Sequence, residues 1–149
     1  ITKNAKMMSG SGYILLMDER PHEKLVTWQE AYKLTLFVYS MTKEFPEEER
    51  YGLISQMRRS AYSVPMNIAE GNAKRTAKDK RRFLDIAKGS LEELHCQCRL
   101  SRDLRYIGAH HFQDIDKRIH RLSFLLFKLR ASVSTQSRAA QSLHSLPSL

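Results

Sequence analysis

Apolar residues recur at steps of three and four along four stretches of this chain, which keeps one side of an α-helix apolar in each. In the first stretch Trp28, Ala31, Thr35, Val38, Thr42 and Phe45 fall on one line, with Leu34, Phe37 and Met41 on a second line beside it. The second stretch carries Ile54, Met57, Ala61, Val64 and Ile68, and the third Leu84, Ala87, Leu91, Leu94 and Cys98. The fourth stacks Ile115, Ile119, Leu122, Leu126, Leu129 and Val133. Punctuation between them is consistent. Pro46 ahead of Glu47, Glu48 and Glu49 suits a helix start, because proline has no amide hydrogen to lose there and carboxylates suit the positive end of the helix dipole. Gly71 followed by Asn72 suits a helix end, Thr76 a cap, and Gly108 a break.

These signals predict helices over about 23–44, 46–71, 77–104 and 110–134. Four helices of about 25 residues, each roughly 37 Å long and joined by short turns, predict an all-α, antiparallel up-down-up-down four-helix bundle. The bundle is expected to occupy 23–134, between a flexible N-terminal extension (1–22) and a disordered, Ser- and Gln-rich tail (135–149). Pro65 stands inside the second helix, where it removes one backbone bond and collides with the Ala61 carbonyl four residues back. A helix kinked at Pro65 is expected rather than one broken there, with Ala61, Ser63, Ala87, Gly89 and Ser90 letting helices two and three approach closely.

Several motifs extend the reading. They are Trp28-Gln29-x-Ala31-Tyr32, Val38-Tyr39-x-x-Thr42, Phe45-Pro46-x-x-Glu49-x-Tyr51-Gly52-Leu53, Gln56-x-Arg58-Arg59-Ser60-Ala61, Ser63-Val64-Pro65-x-Asn67-Ile68-Ala69-Glu70-Gly71 and Phe83-Leu84-x-Ile86-Ala87-x-Gly89-Ser90-Leu91-x-Glu93-Leu94. Over roughly Leu25 to Val133 the chain resembles the bacterial four-helix-bundle proteins related to those encoded by intervening sequences in 23S ribosomal RNA genes. The Asn-Ile-Ala-Glu-Gly run is the most specific piece. The resemblance implies a homo-oligomeric ring, a pentamer, and distant kinship with the accessory protein of diversity-generating retroelements, which partners a reverse transcriptase and binds nucleic acid. It implies no activity, since most members have none assigned.

Charge sharpens the picture. The net charge is +9, but residues 1–49 hold six basic and eight acidic groups (−2), whereas residues 50–134 hold eighteen and eight (+10). A positive field concentrated over helices two to four is the expected footprint of a polyanion partner, structured RNA or DNA. Its densest part is Lys74, Arg75, Lys78, Lys80, Arg81 and Arg82, six cations in nine positions opposed only by Asp79. With Arg58 these are the candidate phosphate contacts; the competing reading is a solvated face that aids solubility. No aromatic residues interleave the run, so base stacking is not expected.

The polar positions Arg59, Asn67 and Glu70 of the resemblance are expected to form a structural cluster that locks helix packing, with a ligand site as the alternative. Phe124, Leu125 and Phe127 add a second apolar line to helix four, and with Leu34, Phe37 and Met41 they are the candidate oligomer interface; the alternative is a thick monomeric core. Glu92-x-x-His95 matches half of a di-metal carboxylate motif, but helix four holds no glutamate, so no metal site is expected. Cys96 and Cys98 point to different faces and cannot readily bridge.

No cofactor, catalytic residue or small-molecule substrate is indicated. A ribonuclease built on Arg102 and His110 is the runner-up reading, and an assembly module with no nucleic-acid role is the other alternative. No apolar run approaches the roughly 20 residues needed to cross a bilayer, so a cytoplasmic protein is expected.

Overall fold

The computed structural model describes residues 19–144, with side chains through Val133. Its four helices are α1 (Val26–Met41), α2 (Leu53–Ala73), α3 (Ala77–Asp103) and α4 (Ala109–His144), and no strand occurs among the described residues. Each helix packs on two neighbours, α1 and α3 both lying against α2 and α4. Cross-helix contacts run in opposite order at every seam. Thr35 meets Ala61 while Thr42 meets Arg58, and Gly71 meets Phe83 while Met57 meets Ser101. Asp85 meets Arg130 while His95 meets Asp116. Adjacent helices are therefore antiparallel, as the stripes predict.

The stripes form one core. Val38, Met57, Val64, Ala87, Leu91, Leu94, Ile115 and Leu122 are sealed from solvent, and Phe45 and Ile107 close the end where α1 and α3 finish. Pro65 is buried within α2 without ending it. The Ala61 carbonyl that proline leaves without its helical donor receives the Thr35 hydroxyl at 3.0 Å, and the same hydroxyl lies 2.9 Å from the Ala31 carbonyl. A neighbouring helix thus supplies what the missing amide cannot.

Several boundaries differ from expectation. Glu47–Glu49 form a separate 3-10 turn, and α2 starts only at Leu53, whose amide donates to the Glu49 carboxylate at 3.0 Å. Pro21–Lys24 form another such turn, in which His22 lies edge-on to Trp28, so the ordered bundle begins before residue 23. Residues 1–18 of the expected extension lie outside the described residues. Gly71 does not stop α2, which runs on to Ala73. Its missing side chain matters because an added Cβ would lie 2.9 Å from the Phe83 Cβ and 3.3 Å from the Lys80 carbonyl oxygen. Gly89, expected at the same seam, faces open space instead.

At the α3–α4 turn the left-handed residue is Arg105, φ 61°, not a glycine. Tyr106 N donates to Ser101 O and Arg105 N to Arg102 O, both at 2.9 Å, the paired bonds of a Schellman ending. Helix α4 continues beyond Ser134 to His144, so the expected structureless tail does not begin at residue 135. Extending an existing helix adds one hydrogen bond per residue fixed, and no proline intervenes before Pro147. Residues 145–149 lie outside the described residues.

Candidate nucleic-acid interface

The predicted basic run falls at one end of the bundle, where α2 ends and α3 begins. Thr76 sets the register of α3: its hydroxyl accepts the Asp79 amide at 3.1 Å and donates to the Asp79 carboxylate at 2.6 Å. This cap engages the one acid of the run; of its cations Arg75, Lys78 and Arg82 are exposed and Lys74, Lys80 and Arg81 half-buried. Lys78, Arg81 and Arg82 then line a shallow open groove together with Thr76, Asp79, Asp85, Ile86 and, from α4, Arg130. Among the described residues Arg75, Lys78, Lys80, Arg81 and Arg82 form no ion pair. Lys74 differs. It pairs with Glu70 at 3.3 Å and lies 4.8 Å from the centre of the Phe83 ring.

Across the groove Arg130 grips Asp85 with two parallel bonds, Nε to Oδ1 at 2.6 Å and Nη2 to Oδ2 at 3.0 Å. The Arg130 hydrogen bond holds the Asp85 carboxyl below its ordinary range; desolvation opposes it, and the charges of Arg130, Lys88 and Arg81 add to the lowering. The same bond raises Arg130.

Other predicted positions are placed differently. Arg58 does not join the groove. It donates to Thr42 Oγ1 at 2.9 Å, lies 4.8 Å from the Tyr39 ring centre, and sits sixteen residues from Lys74, about 24 Å along the helix. Its guanidinium ties α2 to the end of α1. Arg59, Asn67 and Glu70 do not form one cluster either. Arg59 and Glu70 share a face, but eleven residues separate them by about 16 Å along the axis. Glu70 pairs with Lys74, while the Asn67 amide donates to the Ser63 carbonyl at 2.8 Å and the Ser63 hydroxyl at 3.1 Å. The Ser63 and Ser90 hydroxyls are 2.8 Å apart, so the α2–α3 seam is locked by small polar groups.

The second apolar line of α1 also needs correction. Leu34 and Met41 are buried in the chain's own core, and Phe37 packs against that core beneath the Arg118 guanidinium. Helix α1 must fill space toward α2 and α4 at once, which takes a stripe wide enough to absorb both lines. On α4, Phe124 and Phe127 stand 59% and 70% exposed, with Leu125 half-buried beside them. Exposed apolar residues outside the predicted stripes include Tyr32, Leu36 and Tyr39 on α1 and Tyr62 and Met66 on α2. Their i, i+4, i+7 and i, i+4 spacings were visible, but only the packing shows which stripe stays outside.

At the opposite end of α3, Arg102 pairs with Asp103 at 2.8 Å and stacks on Phe112, and His110 pairs with Asp114 at 3.5 Å; among the described residues no contact joins Arg102 to His110. His95 reaches Asp116 at 3.2 Å rather than a second glutamate, and His120 approaches the same carboxylate at 3.5 Å. No three His, Cys, Asp or Glu side chains among the described residues are placed to hold a metal ion. Cys96 is exposed and Cys98 buried, and burial, assisted by the Asp116 charge, pushes the Cys98 thiol up to about 12. A thiol so held is a packing group, not a nucleophile. No helix among the described residues is long and apolar enough to cross a membrane.

Comparison with known proteins agrees with the fold. A protein of unknown function from the S23 ribosomal protein family of Bacteroides thetaiotaomicron has a crystal structure that superposes with a TM-score of 0.64 at 19% sequence identity, covering 70% of this chain and 98% of that one. No curated protein matches the chain. The family model described as 23S rRNA-intervening sequence protein matches residues 23–128, a span that takes in α1, α2, α3 and the first part of α4, and every residue lining the groove except Arg130. By that match over more than two-thirds of its length, the chain belongs to the 23S rRNA-intervening sequence protein family.

Proposed function

We propose that this protein is a cytoplasmic, non-enzymatic, self-assembling bundle that holds the phosphate backbone of structured RNA or DNA in the groove at the start of α3. The observation that carries the reading is the group of five cations, Arg75, Lys78, Lys80, Arg81 and Arg82, that have no acidic partner among the described residues while the acids near them are engaged elsewhere. Unneutralised cations attract phosphates by counterion release, with little regard to sequence. The groove lining offers no aromatic face for bases to stack on, which favours backbone contact over base reading.

Replacing Arg75, Lys78, Arg81 and Arg82 by Gln tests the reading in a salt-titrated gel shift on an RNA duplex. Affinity is expected to fall at least about tenfold at low salt, and on duplex DNA the slope of log affinity against log salt should shrink by about 0.9 for each phosphate that is no longer neutralised. Unchanged binding, or none by the parent protein, removes it. The second reading, an assembly module with no nucleic-acid role, draws on the engagement of Arg58, Asn67 and Glu70 in contacts within the chain. Recovery of crosslinked cellular RNA with the parent protein but not the four-fold variant decides between the two.

A further inference from the structure

The groove contains one acid whose placement is not explained by the helix cap. Asp85 lies among Lys78, Arg81, Arg82 and Arg130, and it presents both carboxylate oxygens to the Arg130 fork. A phosphodiester offers the same pair of acceptor oxygens in nearly the same geometry. Arg130 and Asp85 side chains are 45% and 51% exposed, so water screens their attraction and an incoming anion can reach both partners. The charges of Arg81 and Lys88 lower the carboxyl in the same direction as Arg130.

We infer that Asp85 is a built-in competitor of the nucleic-acid backbone: it occupies the Arg130 guanidinium in the free protein and yields it to a phosphate entering the groove. The inference rests on the function proposed above and adds a control on its strength. One arginine–carboxylate pair is exchanged for one arginine–phosphate pair, and the released Asp85 carboxylate returns to water beside Arg81 and Lys88. The competitor lowers affinity for any polyanion, so a stray strand is held weakly while a partner that also meets the remaining cations is retained.

The test measures binding of a short RNA duplex across a salt series to the full chain and to Asp85→Asn, Arg130→Gln and their double variant. Glu47→Gln, which removes an acid and frees its Arg50 partner outside the groove, reports the effect of net charge and of an arginine released elsewhere. Asp85→Asn should tighten binding about threefold to tenfold and steepen the salt dependence by the equivalent of about one further neutralised phosphate. The gain should vanish in the Arg130→Gln background. Asp85→Ser serves as a second removal should the asparagine variant fold poorly, with helical circular dichroism as the check.

A gain that persists without Arg130, or that Glu47→Gln matches, overturns the inference in favour of bulk charge. Binding that depends on the four cations yet ignores Asp85 overturns it while leaving the proposed function standing. A parent protein that ignores the duplex at low salt removes both.

Discussion

Two residues depart from ordinary helix geometry, Pro65 inside α2 and Arg105 at the end of α3. Thr35 places a hydroxyl against the Ala61 carbonyl that Pro65 strips of its helical donor. Thr35→Val keeps the shape and removes the donor, which should cost about 1–3 kcal/mol for a buried acceptor left unpaired. Pro65→Ala restores an amide beneath that carbonyl, so in its background the same change should cost at least about 1 kcal/mol less. Chemical unfolding of the four proteins measures the coupling, and purely additive costs would refute the pairing. Arg105 holds φ 61° at the end of α3, a conformation that costs a side-chain-bearing residue about 1 kcal/mol. Arg105 makes no ion pair among the described residues. Arg105→Gly should therefore raise stability by about 0.5–1 kcal/mol, seen as a higher thermal midpoint; a lower one would show that the arginine side chain contributes more than its backbone strain removes.

At the scale of helices, the stripes were legible because a 3.6-residue period prints itself on the sequence: Ile54, Met57, Ala61, Val64 and Ile68 are all buried. Which of two adjacent stripes lies inside was not legible. Leu34 and Met41 read as a spare line because one helix seen alone does not reveal that it has two neighbours. Gly71 read as a stop because glycine has two uses, and only the 2.9 Å approach to Phe83 shows that close packing is the one employed here. The basic run was visible as composition, but the groove was not, since Asp85 and Arg130 stand 45 residues apart and meet only when α3 and α4 pack. Arg58 was grouped with the run by charge and is separated from it by geometry, because helix length sets it about 24 Å from Lys74.

At the scale of the whole molecule, the surplus apolar surface lies on different sides. Phe124 and Phe127 mark the outside of α4, whereas Tyr62 and Met66 mark the outside of α2, which stands diagonally across the bundle from α4. The α2 and α4 patches, meeting each other, do not make a two-fold interface, which presents the same patch from both copies. They suit head-to-tail contact, which closes into a ring when the rotation per copy divides the circle, as the expected pentamer requires. A ring would multiply the basic groove, and one strand would meet several grooves in succession at high effective concentration. Separating assembly from charge tests this directly. Phe124→Ser with Phe127→Ser removes no cation and, as both rings are mostly exposed, should leave helical content intact. The double variant is expected to sediment as a smaller species than the parent and to bind a long RNA duplex at least about tenfold more weakly, while its affinity for a duplex short enough to fill one groove stays unchanged. A parent protein that sediments as a monomer would exclude the ring. A dissociated variant with undiminished affinity for the long duplex would show that each groove acts alone.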